Sequence, residues 1–188
     1  MKKIDPIVWW LLAGLGVLIL GGVAVAKWVI PAAGQQYAGD FASAEAANNL
    51  PHNILARMAQ QESNFIDAIV QGIQKSVTGA IGLMQFEPAT AAQFDLDPTD
   101  PVASIQAAGL YMRQIYDDLR STFGSVATWG MAIGAYNAGI GNVEKAVQAA
   151  IAANDVPNWL AYLPTSAANQ AQTDAYVSNI AGDLGLTV

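Results

Sequence analysis

From Ile7 to Ala26 the chain carries no charge and little but apolar side chains, a run of 20 residues. As a helix rising about 1.5 Å per residue it would reach roughly 30 Å, the thickness of a bilayer's hydrocarbon core. Residues 1–30 are therefore read apart from the rest, as an N-terminal membrane segment. A cleaved leader is the competing reading, because Lys2 and Lys3 give a basic start and Ala24-Val25-Ala26 a small-x-small cleavage pattern. Leaders, however, have apolar cores of about 7–15 residues. Here apolar character also resumes after Lys27 with Trp28, Val29 and Ile30, and tryptophans at both ends suit the two membrane interfaces. One uncleaved transmembrane helix is expected. Lysines outnumber on its N-terminal side, so the positive-inside bias puts the N-terminus in the cytoplasm and the body of the chain outside it.

The remainder suffices for one domain with a real core. Residues 31–39 (Pro-Ala-Ala-Gly-Gln-Gln-Tyr-Ala-Gly) read as a flexible linker and residues 40–188 as the domain. Beyond Pro31 the cations are Lys75, Lys145, Arg57, Arg113 and Arg120, against 14 carboxylates. Such a surface is not built for a phosphate backbone, so nucleic acid is excluded as a partner. No cysteine is present, which removes disulfides and thiol chemistry. With one histidine besides, no zinc site of the usual kind and no metal or other cofactor is expected.

The pattern is mainly α. Asp40 can N-cap a helix to about Asn48, and Pro51 opens a second one in which Ile54, Leu55 and Met58 share a face. Residues 71–82 read as irregular with at most a small hairpin. Further helices are expected over Thr90–Phe94, Ser104–Phe123, Trp129–Tyr136, Asn142–Ala153 and Thr173–Leu184. The helix at Trp129 is built of small apolar residues and should be buried on all sides.

Three segments interrupt these helices with polar residues that a core would not choose: Gln60-Gln61-Glu62-Ser63-Asn64-Phe65, Gly79 through Pro88, and Gly134-Ala135-Tyr136-Asn137-Ala138-Gly139. Each alone has a plain reading, as an exposed helix end, a tight turn with a solvated Gln85, and a helix stopped by glycine. Their order and spacing, however, resemble the soluble lytic transglycosylase family: E-S, then G-x-x-G-L-M-Q-x-x-P-x-T-A, then A-Y-N-A-G-x-x-x-V, then a late tyrosine. Gly79 to Ala91 fit the second block, with Ser76 ahead of it, and Ala135 to Val143 the third. Asp100-Pro101, Ile105, Gly109 and Tyr111 resemble the connecting helix. Thr173-x-x-Tyr176-Val177 resembles the terminal E-T-R-x-Y-V, with Gln172 and Asp174 in place of the usual Glu and Arg. The likeness runs from about Phe41 to Ile180.

That resemblance implies a lysozyme-like α domain with a glycan groove, cleaving the β-1,4 bond between muramyl and glucosaminyl sugars of peptidoglycan. Glu62 would protonate the leaving oxygen, which near neutral pH requires a raised pKa, supplied by apolar walls such as Leu83 and Met84. Most glycosidases use a second carboxylate; the family resembled here uses the sugar's acetamido group. Glu62 then acts as base on the 6-hydroxyl, leaving a 1,6-anhydro end without consuming water. Ser63, Gln85, Tyr136 and Asn137 would orient the acetamido group and hold the glutamate, Leu83 and Met84 would also touch the glycan, Gly79 and Gly82 would let backbone approach sugar, and Tyr176 would reach Glu62. Ser63 serves equally well as a local cap.

Other polar residues take bland readings: His52 as exposed, Asp95, Asp97 and Asp100 as a solvated loop without the glycine and closing glutamate of an EF-hand. Glu87 is either a loop residue or a second catalytic acid. Two other functions stay open: a lysozyme-type hydrolase of the same polymer, and a catalytically silent subunit of an envelope-spanning secretion, conjugation or phage virion assembly. Such an assembly would also be a natural partner of an active enzyme that opens the wall locally.

Overall fold

The computed structural model describes Val17–Leu18, Val25–Ala26 and residues 28–188. Among them run eight α-helices: α1 (Ala38–Ala47), α2 (Ile54–Ser63), α3 (Asp67–Val70), α4 (Pro88–Gln93), α5 (Pro101–Phe123), α6 (Trp129–Ala138), α7 (Ile140–Ala152) and α8 (Ala167–Leu184). Short 3-10 helices cover Ala32–Tyr37, Gly124–Val126 and Val156–Tyr162. The mainly α reading holds, and the hairpin expected near residue 82 is a single antiparallel bridge, Ile81 to Phe86.

The transmembrane helix expected within residues 7–26 lies, but for four residues, outside the described residues. Those four form two short strands, β1 (Val17–Leu18) and β2 (Val25–Ala26), paired antiparallel with Val17 opposite Ala26. Val favours extended backbone, a preference that the hydropathy behind the helix expectation does not register. Among the described residues no helix is long and apolar enough to cross a membrane.

The linker reading of residues 31–39 is corrected. Ala32–Tyr37 is a 3-10 helix that runs directly into α1. Gly34 is buried against the Phe65 ring, where a Cβ would come within 2.6 Å of Cζ. Ahead of it, the Trp28 indole N–H donates to Gln60 Oε1 at 2.9 Å, and the Arg57 guanidinium lies 6.0 Å from the Trp28 ring centroid. Glycine and glutamine content suggested a flexible tether; contacts distant in sequence order the segment instead.

Other boundaries move for local reasons. Asp40 lies in the first turn of α1 and is not its cap. His52 and Asn53 form a turn after Pro51, and α2 starts only after Asn53, which takes a left-handed conformation (φ 67°). What caps α2 is Glu45, buried in α1, whose carboxylate accepts from Asn53 N at 2.8 Å and Leu55 N at 3.0 Å. These are donors that a helix start leaves without partners. Nothing in the sequence flagged this, because the acceptor comes from the preceding helix. His52 is exposed as expected, with Nδ1 3.7 Å from Glu45 Oε2. Asp100 caps α5 through Val102 N and Ala103 N, and Asp97 bonds Thr99, so two of the three loop carboxylates have structural tasks.

The core gathers around α6, whose residues Gly130 to Ala135 are all buried. Gly134 is a space requirement there, since a Cβ would fall 2.5 Å from the Trp159 ring. Two polar ties join α2 to α8: Arg57 to Asp183 at 2.6 Å, and Glu62 to Tyr176 at 2.6 Å. Residue numbers rise on one helix as they fall on the other, so the two run antiparallel and hold the C-terminal end of α2 in place.

Candidate active site

Glu62 occupies the last turn of α2, beside a groove of about 520 Å³. Ser76, Thr78, Ala80, Gln85, Phe86, Glu87, Thr90, Tyr111, Tyr136 to Gly139 and Gln172 line it together with Glu62. The ends of α2 and α6, the Gly79–Pro88 turn and α8 thus converge, which is how three sequence blocks become one site. A second concavity of about 550 Å³ lies between residues 157–161 and α8, lined among others by Pro157, Leu160 and Asp174. It takes in none of the three blocks.

The Glu62 carboxyl is taken out of water, and this pushes its pKa up to about 7. One bond works the other way: the Tyr176 hydroxyl donates to Oε1 at 2.6 Å, which favours the ionised form. Near neutral pH the group therefore populates both states, as proton delivery followed by proton removal requires. Tyr176 is itself buried, and burial together with the nearby Glu62 raises its own pKa well above the ordinary value, so it stays a donor. Tyr136 is held protonated by the same two effects, and its hydroxyl donates to the Met84 carbonyl at 2.8 Å. That bond ties α6 to the Gly79–Pro88 turn.

Asn137 accepts at Oδ1 from the buried Thr173 hydroxyl at 2.9 Å, which leaves its amide N–H groups for a ligand. Gln85 sits at φ 50° and donates from Nε2 to Gly82 O at 2.8 Å, so its amide oxygen is the group on offer. Glu62, Gln85, Tyr136 and Asn137 are brought together at the groove, with Tyr176 directly behind the acid.

Four expected ligand contacts are corrected. Ser63 is buried, donating to Ala59 O at 3.0 Å and accepting from Phe65 N at 3.2 Å; it shapes the chain's exit from α2. Leu83 and Met84 are wholly buried in the core below the groove. Gly82 does not approach the groove either, because its α-carbon backs onto Pro98, whose carbonyl oxygen would lie 1.8 Å from an added Cβ. Tyr111 and Thr173 entered the sequence reading only as parts of the family pattern, with no role at the site; a hydroxyl at a position otherwise fit for the core was the further hint. Among the described residues no three His, Asp or Glu side chains gather as metal ligands.

Comparison with known proteins agrees with this geometry. Residues 40–157 match the family described as the transglycosylase SLT domain. Over 114 residues, 60% of the chain, it is 34% identical to membrane-bound lytic murein transglycosylase F of Alteromonas mediterranea. Over 127 residues, 66% of the chain, it is 32% identical to the protein of the same name from Stutzerimonas stutzeri. The chain spans only 21% and 25% of the lengths of those two relatives. A crystal structure of an inactive mutant of lytic transglycosylase Slt from Pseudomonas aeruginosa shares the fold, with a TM-score of 0.55 at 21% identity. The alignment covers 78% of this chain and 23% of that one. The family match takes in Glu62, Gln85, Tyr136 and Asn137 and stops short of α8. With the acid, the glycine turn and the Tyr136-Asn137 segment meeting at one groove inside the matched region, the chain belongs to the transglycosylase SLT domain family.

Proposed function

We propose that this chain is a peptidoglycan lytic transglycosylase, cleaving the β-1,4 bond between N-acetylmuramic acid and N-acetylglucosamine with Glu62 as its one catalytic carboxylate. The observation that carries the reading is Glu62 itself, a groove carboxyl with a pKa of about 7 and a single hydroxyl donor. In the first step Glu62 gives its proton to the glycosidic oxygen as the C1–O bond breaks, and the acetamido oxygen bonds to C1. In the second, ionised Glu62 takes the 6-hydroxyl proton, O6 bonds to C1, and the acetamido group is released. The acid ends protonated as it began, and no water enters. Asn137 and Gln85 orient the acetamido group in this reading, and Tyr176 steadies the carboxylate between steps. Glu87 lines the same groove but is exposed to solvent, an environment unlike that of the acid.

The relatives' names contain "membrane-bound", and with the apolar run from Ile7 to Ala26 this supports attachment to a membrane with the groove on its outer side. Mass spectrometry of the products from purified cell wall tests the reaction. Anhydromuramyl ends are expected; reducing ends, heavier by one water, would mean a lysozyme-type hydrolase instead.

Tyr176→Phe provides a pH test. Activity requires protonated Glu62 at the start, so it should decline on the alkaline side as that group ionises. Removing the Tyr176 hydroxyl takes away a bond that favours the carboxylate, so the pKa rises and the alkaline limb moves to higher pH. A limb that stays in place would show that Tyr176 does not govern this titration.

A further inference from the structure

The groove contains an uncommitted charge. No Lys, Arg or His is among its lining residues, and its carboxylates are Glu62 and Glu87. Glu62 is desolvated and bonded to Tyr176, whereas the Glu87 side chain is exposed and its carboxylate has no hydrogen-bond or ion-pair partner among the described residues. Glu87 stands at the N-cap position of α4, where a carboxylate commonly turns back to the helix's free N–H groups, yet its side chain makes no such bond. It acts on the groove instead: after burial, its charge is what raises the pKa of Tyr111. The Tyr111 and Tyr136 rings lie 5.6 Å apart, and Tyr136 in turn feels Glu62. The two carboxylates thus line one groove together with this pair of tyrosines. Lys75, the cation nearest in sequence, is not among the lining residues.

We infer that Glu87 is a specificity-determining residue, whose carboxylate selects glycan bearing a primary ammonium group over the same glycan without one. This rests on the glycan-cleaving reading above and adds the charge class of its substrate. Neutral sugar hydroxyls and amides satisfy Asn137 and Gln85 equally in both cases, so discrimination falls to the exposed carboxylate of Glu87. An ammonium can come from two sources on cell-wall polymer: the free side-chain amine of a diamino acid in a stem peptide, or a hexosamine that has lost its acetyl group.

The test is a set of binding ratios by titration calorimetry, using the full chain in detergent and carrying Glu62→Gln to prevent cleavage. Strands with amine-bearing stem peptides and peptide-free, partly N-deacetylated strands are each compared with the same strands after chemical acetylation of the amines. At least one amine-bearing strand should bind about fivefold tighter than its acetylated counterpart, the size expected of one solvent-exposed charge pair. Adding Glu87→Gln, or raising salt to about 0.5 M, should bring that ratio to about one. The strand that shows the preference names the source. Because each ratio is taken within one protein, a general loss of fold or affinity cancels from it. Equal binding of all strands, a preference that survives Glu87→Gln, or no binding at all would overturn the inference. An intact ratio in a protein whose Glu62 form cleaves nothing would overturn the proposed reaction alone.

Discussion

Glu62→Gln is expected to fold like the parent and to lose at least about 100-fold in glycan cleavage, the lower end of what a general acid contributes. The substitution keeps the side chain's length and an oxygen that Tyr176 can still donate to at the present 2.6 Å. What it removes is the transferable proton, and the mechanism calls on it twice. Burial now disfavours the ionised glutamate, which is the cause of its pKa of about 7, so a neutral amide relieves a desolvation cost. The thermal midpoint should accordingly hold or rise slightly while activity collapses, and that opposition separates catalysis from folding. Cleavage above a tenth of the parent's, at matched fold, would remove Glu62 from the role of sole acid.

Gly82→Ala should cost several kcal/mol, about 3–5, and leave little folded protein at physiological temperature. Two penalties coincide at this position. Its φ of 83° is left-handed, and its Cβ would lie 1.8 Å from the Pro98 carbonyl oxygen, which as backbone cannot rotate away. Gly79 in the same turn separates the two. It has φ 86°, but its added Cβ would meet nothing nearer than Pro88 Cγ at 3.9 Å. Gly79→Ala should therefore pay the conformational cost alone, about 1–2 kcal/mol. Denaturant unfolding of both variants measures the difference. Equal losses would mean that the loop at Pro98 gives way freely and that close approach is not why Gly82 is needed.

Sequence pattern was enough to place α5, α6 and α7 within a few residues, because α5 and α7 repeat an apolar face over two or more turns, α6 is a run of small apolar residues, and each starts or stops at Pro, Thr or Gly. It missed α3, a single turn too short to show a period, and began α2 at Pro51 when Asn53 breaks the backbone first. The residues of the three motif blocks were legible as a set, since polar side chains inside apolar helices stand out. Which of them face the groove was not. Ser63 and Glu62 are neighbours, yet one turns inward to Ala59 and the other meets Tyr176, a choice made by the rotation of α2 about its axis.

The sequence by itself determined the fold class and singled out the polar residues of the three blocks, because these depend on residue type and spacing along the chain. Tertiary structure decided what depends on neighbours far apart in sequence. It put Glu45 on the start of α2, turned a flexible-looking tether into a packed helix against Phe65, and gave Gly82 to Pro98 rather than to sugar. It also set the protonation of Glu62, since the depth of a carboxyl and the reach of a tyrosine 114 positions away are properties of packing. Desolvation and close contact act through space, and a linear pattern of side chains records neither until the helices have been set against one another.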